Sequence, residues 1–212
     1  MQLIGKGRAA DVYDIGGGRV LRRYRTDGRD TTVEARVMTA ARRAGFPVPE
    51  VHDHDGGDLV LDRVDGPSML ADLAARPWRV AGNARLLADL HVRLAAVGAP
   101  EGLASPLGEG DRLVHGDLHP DNVLLTADGP VVIDWTNACR GPAGADAAMT
   151  SVILTTSDVD NPVLRVGQQL YGALFRRACP PFDHLLPTAV ALRLRDRNLT
   201  DSERERLRRR AA

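Results

Sequence analysis

LVHGDLHPDNVLL (113–125), then a TADG turn (126–129) and VVIDW (131–135), is the most informative segment of this 212-residue chain. Two short apolar runs flank the turn, which predicts a β-hairpin preceded by a polar loop. The loop carries Asp117 and Asn122, and Asp134 closes the second run. Phosphoryl transfer accounts for each of the three. Asp117 can accept the proton of an attacking hydroxyl, while Asn122 and Asp134 offer oxygens to a magnesium ion that neutralises charge on the transferring phosphate. With proton abstraction assigned to Asp117, structural roles are expected for His115 and His119 as braces of loop backbone.

Upstream, short strand patterns surround one helical pattern. Leu3-Ile4, residues 12–15 and residues 19–24 alternate between glycine breaks and predict a three-stranded antiparallel meander. A helix follows: Thr31 with Glu34 forms a capping-box pattern, Val33, Val37, Ala41 and Ala44 make an apolar stripe, and Gly45 and Pro47 end it. Residues 48–51 and 59–64 read as two more strands separated by the turn-rich DHDGG (53–57), giving a five-stranded sheet with one inserted helix. After Asp65-Gly66-Pro67 the texture becomes helical. Ser68 is a fitting N-cap for a helix over 69–75, and a longer helix over 78–97 carries Ala84, Leu87, Leu90 and Leu94 on one stripe. Residues 98–111 read as loop. Beyond Pro142 the chain is helical in three or four pieces, with starts at Asn161-Pro162 and at the Thr200/Glu203 capping box.

Composition narrows the function classes. Twenty-eight basic and 28 acidic residues cancel, which argues against a chain devoted to coating nucleic acid or an anionic membrane. The tail from Arg193 to Arg210 holds eight arginines, but four acids interleave with them, so it reads as a solvated helix face. Cys139 and Cys179 form neither a zinc pattern nor a disulfide framework, which fits a reducing cytoplasm; Cys139 reads as a packing residue. Asp11 interrupts the region where a signal peptide needs an apolar run, and no stretch approaches the ~18 apolar residues of a spanning helix.

The order His115-Gly116-Asp117, Asn122, Ile133-Asp134-Trp135 resembles the catalytic loop and metal-binding strand of the aminoglycoside phosphotransferase and choline kinase family. These are small-molecule relatives of the protein kinases, whose own versions are usually written HRDxxxxN and DFG. The resemblance covers the first 150 residues well and the last 60 poorly. It implies an α+β, two-lobed protein-kinase-like fold: an N-terminal lobe (1–65) with a five-stranded antiparallel sheet and one helix, an inter-lobe connection near 61–66, and a mainly helical C-terminal lobe (67–212) that binds the acceptor. It also implies ATP and Mg2+ as cofactors and a small-molecule hydroxyl as acceptor.

By the same resemblance, GKGRAADV (5–12) corresponds to the kinase loop GxGxxGxV with Ala10 in the third glycine position. Gly5 and Gly7 would let backbone amides approach phosphate, and Val12 would cover the adenine. The family's phosphate-binding lysine is absent, since Lys6 is the chain's one lysine beside 27 arginines. Alternation puts Val20 and Arg22 on one face of their strand, so Arg22 is the candidate replacement, with Glu34 as its ion-pair partner. Glu34 equally fits the capping box with Thr31. The carbonyl of Asp62 and the amide of Val64 would pair with the adenine edge. Asp146, in GPAGAD (141–146), resembles a family helix start with one extra residue. Two functions stay open: an ATP- and magnesium-dependent kinase of a small-molecule hydroxyl, and a nucleotide-binding regulator with weak turnover, the absent lysine favouring the second and the intact Asp117, Asn122 and Asp134 the first.

Overall fold

Strand pairing in the first part of the chain follows the alternation closely. β1 (Gln2–Lys6), β2 (Ala10–Gly16) and β3 (Arg19–Tyr24) form the expected meander in the structure, a computed structural model describing residues 1–7, 9–26, 28, 30–159, 161–196 and 198–211. Arg8, within the glycine segment, lies outside the described residues. β4 (Val51–Asp55) and β5 (Asp58–Asp62) complete an antiparallel sheet in the order β1-β2-β3-β5-β4, and helix α1 (Thr32–Arg43) is inserted between β3 and β4.

Three local expectations are corrected. β4 runs over residues read as a turn, with Gly56-Gly57 alone reversing the chain between Asp55 and Asp58. Its HDHD sequence is polar because it is an edge strand, which needs no apolar side chains and is protected from further pairing by charge. Residues 46–50 instead feed the core, Phe46 and Val48 being buried, and Val132 N donates to Pro47 O at 2.8 Å. The second correction concerns the stripe of α1: Glu34, Ala35, Val37, Met38 and Ala41 face inward, while Val33 and Ala44 are exposed. Third, the Thr31 capping box does not form. The Thr31 hydroxyl donates to Gly56 O and Asp58 O in the β4–β5 turn, and Glu34 turns to another partner described below.

Ser68 caps α2 (Met69–Ala75), its hydroxyl accepting from Ala71 N at 3.1 Å. The expected helix over 78–97 divides into a 3-10 turn (Pro77–Arg79) and α3 (Val80–Leu94), with Ala84, Leu87, Leu90 and Leu94 fully buried. β7 (Val123–Thr126) and β8 (Gly129–Val132) form the expected hairpin, and β6 (Arg112–Val114) pairs with β9 (Cys139–Gly141). The described remainder is helical: α4 (Ala145–Thr156), α5 (Pro162–Ala178), α6 (Leu186–Arg193) and α7 (Asp201–Ala211). Here the capping box forms, Glu203 N donating to Thr200 Oγ1 and Thr200 N to Glu203 Oε2, both at 3.1 Å. No helix among the described residues is long and apolar enough to cross a membrane.

The segment joining the sheet to α2 lies against β7. A Cβ on Gly66 would stand 2.3 Å from Leu125 O, Leu125 N donates to Pro67 O at 2.9 Å, and Ser68 bridges Leu124. Gly66→Ala should therefore force backbone apart and destabilise the fold by roughly 1–3 kcal/mol, several degrees of melting temperature for a chain of this size. Calorimetry checks this. An unchanged melting temperature would mean that this segment lifts off β7 without penalty.

Candidate active site

The polar loop 115–122 is held by buried groups beneath it. Asp146, in the first turn of α4, accepts from His115 N (3.2 Å) and Gly116 N (2.9 Å). Burial drives the Asp146 carboxyl above its ordinary range, against the pull of His115 and the two amides. His115 is fully buried, with Nε2 against Ile133 O at 3.0 Å and Nδ1 accepting from Asp117 N at 3.3 Å. Those contacts define a neutral ring protonated on Nε2, and burial lowers its pKa. Gly116 has φ +80°, and a Cβ there would meet Asn137 O at 2.6 Å, so only glycine fits between His115 and Asp117. The structural role expected for His115 holds.

This scaffold leaves the Asp117 carboxylate uncommitted. Its backbone oxygen accepts from His119 N (3.0 Å) and Asn122 Nδ2 (2.8 Å), and His119 Nε2 stands 3.6 Å from its Oδ2. His119 Nδ1 accepts from Asp121 N at 3.3 Å, so His119 braces the loop and also stands beside the carboxylate. Asn122 Nδ2 is spent on the loop, also standing 3.4 Å from His119 Nε2. Ile133 N donates to Asn122 O at 3.0 Å, which sets Asn122 beside the residue preceding Asp134.

Asp134 leaves β8 in the left-handed region (φ 63°, ψ 67°), the one non-glycine residue at positive φ among those described. Such backbone is strained and persists where surrounding contacts enforce it. Here the enforcers are visible. Trp135 is buried, bonds Val132 O through Nε1 (3.1 Å) and packs edge-on against Phe46, while Asp134 itself bonds Arg22 Nη2 at 2.6 Å and Thr136 Oγ1 at 2.7 Å.

Arg22 reaches in from β3. Its Nη1 donates to Glu34 Oε1 at 2.5 Å, and its Nη2 also bonds Thr136 Oγ1 at 2.9 Å. Tyr24, two residues on along the same face, joins Glu34 Oε2 and Thr136 Oγ1, each at 2.7 Å. Arg23 points the other way and pairs with Asp58 at the surface. Of the two roles open to Glu34, the ion pair is the one the structure contains. Burial works against the charge on Arg22, but Glu34 and Asp134 outweigh it and hold the guanidinium pKa above its usual value. Burial likewise raises Asp134, and Arg22 with the Thr136 hydroxyl more than reverses this, so that the carboxylate is anionic at neutral pH. Hard oxygen donors at Asn122 and Asp134 fit a magnesium ion.

The other expected nucleotide residues line the sheet. Gly5 and Val12 are opposite each other in the β1–β2 register, as are Val12 and Arg22 across β2–β3. Gly7 N donates to Ala10 O at 2.8 Å, and Gly7 O accepts from Arg25, so Gly7 is engaged in the turn itself. Val20 is buried and pairs with Leu61 on β5. Asp62 ends β5 with its amide on Glu50 O and its carboxylate on His52, and Val64 follows in the connecting segment. Cys139 is buried, which pushes its thiol up to about 12 and leaves it protonated, as a packing residue would be.

Tyr24, Thr136, Thr150 and His91 were not anticipated. The first two lie two residues beyond Arg22 and Asp134, a spacing that alternation and a tight turn could have flagged. The others lie deeper: Thr150 on α4 bonds Leu118 O at 2.7 Å, and His91 on α3 meets Thr150 Oγ1 at 2.9 Å. Burial lowers the His91 pKa from 6.5 to about 4. Between those values the unfolded chain takes a proton that the folded one refuses, so stability is full above pH 6.5 and falls as pH drops toward 4. The share lost through His91 is about 3 kcal/mol. Urea unfolding at pH 7 and pH 4 should show His91→Gln losing less stability than wild type by about that amount. Equal losses would remove His91 from the acid response.

A family model described as phosphotransferase enzyme family (APH) matches residues 1–112 and 99–181. A probable bifunctional tRNA threonylcarbamoyladenosine biosynthesis protein of Methanoculleus marisnigri is 31% identical over 62% of this chain and 24% of its own length. A probable serine/threonine-protein kinase BUD32 homolog of Archaeoglobus fulgidus is 28% identical over 55% of this chain and 53% of its own. The chain thus matches about a quarter and about half of these two proteins. Among solved structures, aminoglycoside phosphotransferase APH(4)-Ia in ternary complex with AMP-PNP and hygromycin B superposes with TM-score 0.65 at 16% identity, covering 99% of this chain and 90% of that one. A choline/ethanolamine kinase family protein from Mesorhizobium loti gives TM-score 0.57 at 16% identity, covering 99% and 86%. These structures share the protein-kinase-like fold expected from the loop and hairpin motifs. By the family model that matches it over most of its length, the chain belongs to the phosphotransferase enzyme family.

Proposed function

We propose that this phosphotransferase moves the γ-phosphate of ATP to a hydroxyl of a small molecule, with magnesium as second cofactor, in the cytoplasm. The observation that carries the reading is the bond from Arg22 on the sheet to Asp134 on the turn after β8, next to Asn122 and the Asp117 loop. In this reading residues 1–65 form a nucleotide-binding lobe joined near 61–66 to an acceptor-binding lobe over 67–212. Gly5 approaches the phosphates while Gly7 holds the turn beside it, Val12 and Val20 cover the adenine, and the carbonyl of Asp62 and amide of Val64 pair with its edge. Arg22, steadied by Glu34, holds phosphate oxygens where relatives use lysine. Asn122 and Asp134 would hold the magnesium, which when bound offsets negative charge on the phosphate oxygens. Asp117 orients the acceptor hydroxyl and takes its proton as that oxygen forms the new bond to phosphorus and ADP leaves.

The complex of APH(4)-Ia with hygromycin B makes aminoglycosides a first class of acceptor to try, with amino sugars, choline-like alcohols and other antibiotics beside them. The test is an ATP-consumption screen over such compounds, with product masses gaining one phosphate. A second reading, transfer to a protein hydroxyl, is favoured by the higher identity to chains named as serine/threonine-protein kinases, 35% over 55% of this chain for PkwA of Thermomonospora curvata. Label from γ-phosphate-labelled ATP appearing in protein rather than in small molecules would select it. ATP binding without consumption anywhere would select a nucleotide-binding regulator.

A further inference from the structure

The face of α1 turned away from Arg22 lines an open groove of about 610 Å3, flanked by β4 and by residues 98–100. From the helix come Thr32, Arg36, Thr39 and Arg43, spaced so that all four share one face. From β4 come His52 and His54, with Asp53 the only acid among the described residues that line it. The groove is open and its lining is cationic.

Arg36 and Arg43 make no ion pair to an acid among the described residues, in contrast to Arg42 between them, which is paired with Glu50 at 3.0 Å. Leaving two guanidinium groups unpaired in one concavity creates a local positive field on a chain of zero net charge. Seven residues of helix separate them by about 10 Å along the axis. From that spacing a molecule with an acidic group at each end can meet both arginines at once. His52 is already engaged with Asp62 at 2.8 Å, so the arginines are the anchors and the histidines the opposite wall.

We propose that this groove binds a small organic dianion whose phosphate or carboxylate groups lie about 10 Å apart. The site is separate from the Arg22 cluster: Glu34 faces β3, and Ala35 and Thr39 face the groove. The binding claim stands whether or not the chain is an ATP-dependent kinase.

The test is an amide NMR titration of the full chain with hexane-1,6-diyl bisphosphate, and with methyl phosphate as the single-anion control. Saturating shifts are expected at Thr39, Arg43, His54 and Gly98, with the bisphosphate binding about tenfold or more tightly than methyl phosphate. Arg36→Gln with Arg43→Gln should weaken binding about tenfold or more, and Asp53→Asn should tighten it about two- to fivefold, a gain that misfolding cannot imitate. No saturation up to about 10 mM, shifts confined to residues 5–12, or equal binding by the double variant would each overturn the site.

Discussion

Asp117→Asn is expected to lower turnover by about 10²-fold or more while ATP affinity changes by less than about twofold. The carboxylate is not part of the scaffold: among the described residues the one salt-bridge-distance contact of its side chain is the His119 imidazole at 3.6 Å, and the loop is held through the Asp117 backbone. An amide of the same shape therefore keeps the loop and loses the ability to accept a proton. Melting temperature should be unchanged, which separates a chemical loss from a folding one. Turnover above about a tenth of wild type would assign the proton to another group, with His119 first in line.

Arg22→Ala is the second large effect, and it has two components. If Arg22 holds phosphate, its removal forfeits a charge-assisted contact of about 1.5–3 kcal/mol, roughly ten- to a hundredfold in kcat/KM for ATP. Independently of any nucleotide, it leaves the buried Glu34 carboxylate with Tyr24 alone, and stranding a buried charge typically removes about 3–5 kcal/mol of stability. Arg23→Ala breaks a surface pair with Asp58 worth about 0–1 kcal/mol. Arg22→Lys should recover part of each loss, since an ammonium cannot span Glu34 and Asp134 as a planar guanidinium does. Thermal melts with steady-state kinetics on the three variants decide the matter. If Arg23→Ala is the more damaging, the nucleotide face has been assigned to the wrong side of β3; if neither matters, Lys6 becomes the better phosphate-binding cation.

What was legible in the sequence was what rests on residue type at fixed spacing. Asp117, Asn122 and Asp134 stood out because polar side chains at those intervals around a hairpin have few structural uses. The facing of Arg22 followed from alternation once the family pattern was aligned on Val20-Leu21-Arg22. The stripe of α1 was misread because its innermost member is an acid: Glu34 is buried on account of an ion pair from another strand, which no apolar periodicity encodes. β4 was displaced for the converse reason, since an edge strand can be polar throughout. Thr136 and Tyr24 stayed hidden because their meeting depends on the left-handed turn at Asp134, a conformation that sequence patterns associate with glycine.

The hairpin formed by β7 and β8 is tied on one flank to Pro47 through Val132 and on the other to Pro67 through Leu125. Both anchor residues are prolines, which lack an amide proton and serve here purely as acceptors. The hairpin that carries the Asp134 turn is therefore held by main-chain bonds on either side, independently of the side chains that meet across to β3. Much of the entropy of bringing Arg22 to Asp134 is spent during folding instead of at ligand encounter. A guanidinium removed from such a frame leaves a gap of the original width, so a small cationic guanidine added to Arg22→Ala has a defined place to bind, and chemical rescue should be strongest at this position.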